Sequence, residues 1–248
     1  MSLKLNKGVA NGVAGEVQRV LNNPETSEDE HKARIQAIEA RRLLAHLDHA
    51  NIRDTVCEES LESIRGLLCR KPWQYCKKPS QVAEFLHEDS KKWARQGYRI
   101  VIEGGSERVR RRVMNYCIYR AILANFDCCT FVARIYDWSQ VMSSMSSYSD
   151  PRRNEVIGGM EKIKVLGLGE INLSSPPRQN NDSDVVLTGV LRGRMIDEMP
   201  TIITLTNSSM SGDTASMGTE INNIVNTPHD EEIEMVLRIK VAGANDEE

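Results

Sequence analysis

The sequence lacks long apolar runs, and it lacks a strong overall charge. No run is long enough to cross a membrane and no secretory signal is recognisable, so a cytoplasmic protein without membrane contact is expected. The formal net charge of −3 does not by itself indicate a nucleic-acid partner, although arginines cluster at 108–112. A hydrophobic content of 40% over 248 residues is ordinary for one large or two small globular domains.

The sequence also lacks the residue patterns of metal centres and of common nucleophilic catalysis. Its six cysteines form no CxxC pair, and their spacing matches no usual zinc pattern, so reduced thiols are expected. The five histidines are predicted to be surface groups, because no acid or cysteine completes a ligand set around them. No Ser/His/Asp or Cys/His arrangement indicates a hydrolase.

Predicted strands alternate with predicted helices in the second two thirds of the chain. Apolar runs indicate five strands, at 98–102, 131–135, 163–168, 201–206 and 232–241. This alternation predicts an α/β fold, a parallel sheet with helices on both faces, over residues 80–248. The residues ahead of it are predicted to form a flexible leader (1–25), a small helical region (26–70) and a proline-bearing linker (71–79).

The turn after the first predicted strand carries the most informative pattern. Gly104 and Gly105 stand where a phosphate-binding loop would begin, between a strand and a helix. In the loop pattern G-x-x-x-x-G-K-[ST], Val109 replaces the second glycine, Arg110 the lysine and Arg111 the hydroxyl. Valine hinders the close backbone approach that glycine permits, and an arginine at the hydroxyl position cannot ligate magnesium. The turn therefore reads as a nucleotide site that has decayed.

Four segments follow one another in an order known from one protein family. They are Trp93-Ala94-Arg95 with the Gly104 turn, an acidic-strand segment at 161–172, a segment at 190–207 with the strand Pro200-Thr201-Ile202-Ile203-Thr204, and a closing strand at 232–243. Over residues 80–246, this order resembles the AAA+ helicase loaders of the DnaC/DnaI type and their relative, the transposition ATPase IstB. The resemblance implies a P-loop-like AAA+ core.

The departures from that family all weaken nucleotide chemistry. The acidic strand should end in two acids, but Gly169 takes the place of the first and only Glu170 remains. Asn226 stands where the family carries a trans-acting arginine, and Asn207 is expected only to bond local backbone. These losses remove most of the charge stabilisation that phosphoryl transfer needs. The chain is therefore predicted to be a pseudo-ATPase and no enzyme, with no cofactor and no metal.

Two groups of residues are candidates for contact with single-stranded DNA. Arg108, Arg111 and Arg112 share one helical face that suits phosphate, with a solvated or protein-facing cluster as an equal alternative. Resembling loaders also contact single-stranded DNA after the second predicted strand, where aromatic stacking and arginines give sequence-tolerant binding. The candidates in that interval are Tyr136, Tyr148, Arg152 and Arg153.

The helices ahead of the core are candidates for partner binding. In the resembling loaders this region grips the replicative helicase, a hexamer of the DnaB type. The apolar rows suited to such a contact are Ile35, Ile38, Leu43 and Leu47, then Leu61, Ile64 and Leu68. The alternative is that these rows pack on the core. Because a parallel sheet should carry its own core, a chain starting near Ser80 is expected to fold alone.

Together these features predict a non-catalytic AAA+-like protein of DNA replication that binds a hexameric helicase as loader or regulator. Single-stranded DNA is a further candidate partner, and a homo-oligomer is also possible. A phage or mobile-element source is consistent with a sequence that departs this far from the family pattern. One alternative is an IstB-like transposition accessory protein that binds DNA without engaging a helicase. Another is a weak residual ATPase in which Arg110 stands in for the lysine.

Overall fold

The structure, a computed structural model, describes residues 28–52, 71–87, 89–126, 130–145, 151–171, 182–206 and 236–241. The helices are α1 (Glu28–His49), α2 (Pro79–His87), α3 (Ser90–Trp93), α4 (Glu107–Ala124), α5 (Trp138–Met145), α6 (Pro151–Lys162) and α7 (Asp182–Ile196). The strands are β1 (Arg99–Gly104), β2 (Ala133–Asp137), β3 (Val165–Ile171), β4 (Thr201–Leu205) and β5 (Val236–Val241). A short 3-10 helix spans Pro72–Tyr75.

The five strands form one parallel sheet in the order β2-β3-β4-β1-β5. Its central strands β1 and β4 are buried along almost their whole length, which explains why they read as continuous apolar runs in the sequence. The carboxyl ends of β1, β3 and β4 meet at one edge of the sheet, where ligands of open α/β folds usually bind. The observed fold confirms the predicted α/β architecture.

Helices cover both faces of the sheet, as the sequence predicted. Side chains of β1 alternate between two cores, with Ile100 and Ile102 in the first and Val101 in the second. The first core is completed by α1 to α4 and holds the fully buried Trp93. The second core is completed by α5, α6 and α7.

The end of α1 covers the outer edge of β2. The amide of Ile135 donates to the carbonyl oxygen of Ala50 at 3.2 Å, and the side-chain amide of Asn51 donates to the carbonyl oxygen of Ile135 at 2.8 Å. An edge strand with unpaired backbone groups is a template for pairing with other chains. Residues after α1 therefore protect this edge of the sheet.

The opposite edge, formed by β5, is covered by the segment that follows the 3-10 helix. Cys76 pairs with Val241 in an antiparallel bridge, and the amide of Lys77 donates to the Lys240 carbonyl oxygen at 2.8 Å. Cys76 is buried, and Trp73 packs edge-on against Tyr116 of α4. The two prolines of the segment predicted as a linker, 71–79, flank this packed turn. The division of the chain into domains stays a prediction.

Candidate functional site

The turn between β1 and α4 is short and closed. β1 ends at Gly104 and α4 begins at Glu107, so two residues connect the elements. Gly104 and Gly105 have φ angles of 80° and 55°, in the left-handed region that favours glycine. A Cβ on Gly104 would lie 2.7 Å from the carbonyl oxygen of Val241, so this position also needs glycine for space.

Two backbone amides in the first turn of α4 are already committed to the helix. Those of Val109 and Arg110 both donate to the carbonyl oxygen of Ser106 at 3.0 Å. The Val109 side chain packs against the first core instead of leaving room beside the turn. A phosphate loop needs free amides directed at its ligand, and these two are not free.

The side chain of Arg110 turns into the space between this turn and the end of β3. One terminal nitrogen donates to the carbonyl oxygens of Gly105 and Gly104, at 2.7 and 3.1 Å. The Nε atom and the other terminal nitrogen donate to the two carboxylate oxygens of Glu170, at 3.2 and 2.5 Å. The Arg110 side chain is only 5% exposed and that of Glu170 is 18% exposed, so the arginine side of this bidentate pair is buried.

Glu170 reaches Arg110 because the backbone bulges at the end of β3. The pairing of β3 with β4 shifts register between Leu168 and Ile171, and Glu170 has a φ angle of 59°. Bulges re-aim a side chain in this way, and the left-handed φ is unfavourable for a residue other than glycine. Thr204 of β4 holds the bulge, accepting from the Glu170 amide at 2.6 Å and donating to its carboxylate at 3.0 Å.

A second ion pair, longer and more exposed than the first, lies at the carboxyl edge of the sheet. Arg111 lies 3.4 Å from Asp137 at the end of β2, with both side chains about one-third exposed. A Cβ on Gly169 would lie 3.0 Å from a carboxylate oxygen of Asp137. An acid restored at Gly169 would therefore crowd a second carboxylate, which like-charge repulsion disfavours. Among the described residues, Arg110 with Glu170 and Arg111 with Asp137 thus form two pairs at this edge whose charges neutralise one another.

The predicted nucleotide-site residues are brought together by the fold. Those within the described ranges, all at the carboxyl edge, are Gly104, Gly105, Val109, Arg110, Arg111 and Glu170. Asn207 and Asn226 lie outside the described residues.

Several predicted contacts for nucleic acid lie on accessible surfaces. Arg108 is exposed and Arg112 half-buried on the first turns of α4, and Arg152 is exposed on the first turn of α6. Arg111 is engaged with Asp137. Tyr148 lies outside the described residues.

Two of the predicted nucleic-acid contacts are wrong, because their side chains are buried. Tyr136 is 8% exposed and belongs to the second core, where Gly159 of α6 leaves room for its hydroxyl group. Arg153 is also 8% exposed, since it faces inward from the first turn of α6. Neither ring nor guanidinium is available to stack on a base or bind a phosphate from solution.

The predicted partner-binding row on α1 is mostly turned inward. Leu43 and Leu47 are buried in the first core, and Ile38 is buried as well, while Ile35 is half-buried. For Leu43 and Leu47, the alternative that these residues pack on the core is therefore correct. Leu61, Ile64 and Leu68 lie outside the described residues.

Comparisons with known proteins identify the fold. No protein-family model matches this chain. No curated protein resembles its sequence significantly. Among the solved structures that match is the crystal structure of DnaI, with a TM-score of 0.50 and 14% sequence identity, covering 73% of this chain and 93% of that one. The chain therefore has an α/β fold similar to that of DnaI.

Arg194 in α7 of this DnaI-like fold is a buried arginine that the sequence predictions did not single out. Its guanidinium donates to the carbonyl oxygens of Met160, Ile163, Lys164 and Pro200, at 2.6 to 3.1 Å. Burial lowers its pKa to about 10. These bonds tie the end of α6 to the residues that precede β3 and β4, so Arg194 fixes the central strands in place. Its place in the segment at 190–207, one of the four on which the sequence resemblance rests, was the available signal.

His46 and His49 are not the surface groups that the sequence predicted. His46 is 5% exposed, and its ring lies 5.4 Å from that of Phe131 and 5.9 Å from that of Phe126. Burial lowers the pKa of His46 to about 4, and the nearby Arg42 and His49 add to this effect. The ring of His49 stacks on Phe131 at 4.1 Å, and burial also lowers its pKa.

Within the described ranges, no helix combines the length and apolar character that spanning a membrane requires. The same part of the chain brings no three His, Cys, Asp or Glu side chains together in a way that could hold a metal ion.

Proposed function

We propose that this protein is a non-catalytic AAA+-like protein of DNA replication that binds a hexameric replicative helicase as a loader or regulator. Two observations support the proposal. The fold is similar to that of DnaI, and four sequence segments follow the order found in helicase loaders. A cytoplasmic location and contact with single-stranded DNA through Arg108, Arg112 and Arg152 belong to the same proposal.

The observation that carries the non-catalytic part is the buried pair of Arg110 and Glu170. In an active phosphoryl-transfer site, a compact lysine charge, free amides and a metal-binding acid surround the phosphates. Here the guanidinium fills that space, and both carboxylate oxygens of Glu170 already accept hydrogen bonds. A nucleotide would have to displace a bidentate buried ion pair to enter.

The test of this part is titration calorimetry with ATP and magnesium, together with a phosphate-release assay. We expect no binding at micromolar nucleotide and no turnover above background. Micromolar affinity with measurable turnover would reject the proposal in favour of the residual ATPase. In that case Arg110→Ala should abolish both signals, since Arg110 would be replacing the phosphate-loop lysine.

The test of helicase binding uses Leu61 and Ile64, two of the partner-binding residues that the sequence predicts within 26–70. Leu61→Glu and Ile64→Glu should each weaken capture of a hexameric replicative helicase by more than ~1 kcal/mol if they are buried anchors. Gln36→Glu, at an exposed polar position of α1, is the matched control and should leave capture unchanged. Full binding by both variants would move the interface elsewhere. DNA binding without any helicase capture would favour the IstB-like alternative.

A further inference from the structure

The turn between β1 and α4 has the opposite polarity to an anion site. Four oxygen atoms lie within 3.2 Å of the Arg110 guanidinium, namely the carbonyl oxygens of Gly104 and Gly105 and both carboxylate oxygens of Glu170. A phosphate site presents N–H groups and cations to its ligand. This site presents acceptors, which suit a planar cation with several donors.

The same contacts connect three elements that are separate in the sequence. Arg110 binds the turn after β1 and the end of β3, and Glu170 continues the network to Thr204 in β4. In nucleotide switches the bound phosphates provide such links, and the segments rearrange when the phosphate is lost. Here the linking group is the Arg110 side chain, which is covalently part of the protein and cannot dissociate.

We infer that the junction of β1, α4 and β3 is an internal guanidinium site, in which Arg110 acts as a built-in cation that replaces a dissociable ligand. The carboxyl edge of the sheet is thereby held in one arrangement that no ligand has to bind or release. The regulatory consequence, that helicase binding is the same with ATP, ADP or no nucleotide, rests on the proposed function. The cation site does not depend on it.

Arg110→Ala provides the test, because it leaves a cavity lined by the same four oxygen atoms. We expect its melting temperature to fall by roughly 5 °C or more. Millimolar ethylguanidinium should recover at least half of that loss in Arg110→Ala and should not stabilise the unaltered protein. Ethylammonium should recover less, since it lacks the planar fork that binds a carboxylate through two hydrogen bonds. Inorganic phosphate should recover nothing.

Arg112→Ala is the matched control, because Arg112 lies on the same helix outside the junction. It should melt close to the unaltered protein and show no response to ethylguanidinium. An unchanged melting temperature for Arg110→Ala, stabilisation by phosphate, or the absence of any ethylguanidinium rescue would overturn the inference.

Glu170→Gln keeps the test decisive if Arg110→Ala does not fold. It preserves side-chain size but removes the charge that holds the guanidinium. We expect amide hydrogen exchange at Val109 and Arg110, the hydrogen-bonded amides that follow the turn, to accelerate by about tenfold, with exchange in α7 unchanged. Unaltered exchange at these amides would overturn the inference. A positive ethylguanidinium result without any helicase binding would reject the proposed function and leave the guanidinium site standing.

Discussion

Two arginines, Arg110 and Arg194, are buried inside the protein. Both direct guanidinium donors at backbone carbonyl oxygens and thereby satisfy acceptors that burial would otherwise leave unpaired. For Arg110, sequence periodicity predicts only the helical face on which the side chain lies. Arg108 and Arg112 are four residues apart and share a helical face, whereas Arg110 points away from it. That it meets Glu170 depends on the bulge in β3, which no local pattern predicts.

The buried His46 makes the stability of the protein depend on pH. Its pKa lies near 4 in the folded protein and near 6.5 in the unfolded chain, so the unfolded chain binds more protons between these values. The contribution of neutral His46 to the free energy of unfolding is therefore fully present above about pH 6.5, and it is lost as the pH decreases towards 4. We expect His46→Leu to lose less stability than the unaltered protein between pH 7 and 5, by about 1–2 kcal/mol.

Urea unfolding of both proteins at each pH measures this difference. Carboxylates titrate in both proteins, so their contribution cancels in the comparison. His49 shifts in the same direction and is present in both as well. Parallel stability curves for the two proteins would contradict a buried neutral His46.

Among the elements, α4 serves two purposes along its length. Its later turns lie almost entirely in the first core, while its first turns carry Arg108 and Arg112 on an accessible face. If this face binds single-stranded DNA, the double change Arg108→Ala and Arg112→Ala should lower the log–log salt slope of binding by roughly two units. Fluorescence anisotropy with an oligonucleotide at several salt concentrations measures the slope.

Arg111→Ala is the internal comparison for that experiment. Because Arg111 pairs with Asp137, its removal should change the slope by less than the loss of Arg108 or Arg112. An unchanged affinity and slope in the double variant would show that these arginines are structural or face a protein.

The strands and most helices were predictable because buried segments are rich in apolar residues. β1, β3 and β4 are buried along almost their whole length, and each consists mainly of apolar residues, glycine and threonine. Side-chain direction was less predictable at element ends. Tyr136 follows the alternation of β2 into the second core. Arg153 lies in the first turn of α6, where its side chain faces inward. The covering of both sheet edges left no local signal, because it depends on contacts between distant segments.

At the scale of the whole molecule, the described residues before Ser80, 28–52 and 71–79, pack on the same core as the sheet. They contribute Leu43, Leu47, Ala50, Ile52 and Cys76 to the first core. They also cover both edges of the sheet. The sequence predicted that a chain starting near Ser80 folds alone. Because that chain would lack these contacts, we now expect that it does not.

A chain starting at Ser80 should lose its cooperative thermal transition or form aggregates. Burying each large aliphatic side chain contributes roughly 1.5–3 kcal/mol, and a domain typically has only about 5–15 kcal/mol of net stability. Circular dichroism and size-exclusion chromatography measure the outcome. A chain starting at Glu28 keeps α1 and both edge covers, and it should melt like the full chain. A monomeric, cooperatively melting chain from Ser80 would restore the original expectation.

The position of β5 has a consequence for how the protein is made. β1 needs β5 as a neighbour, and Glu103 of β1 and its partner Arg238 of β5 are 135 residues apart. At a synthesis rate of about 5–20 residues per second, roughly 7–27 s pass between the synthesis of β1 and that of this neighbour. During this interval Ile100, Val101 and Ile102 form an exposed apolar strand that attracts chaperones and other nascent chains.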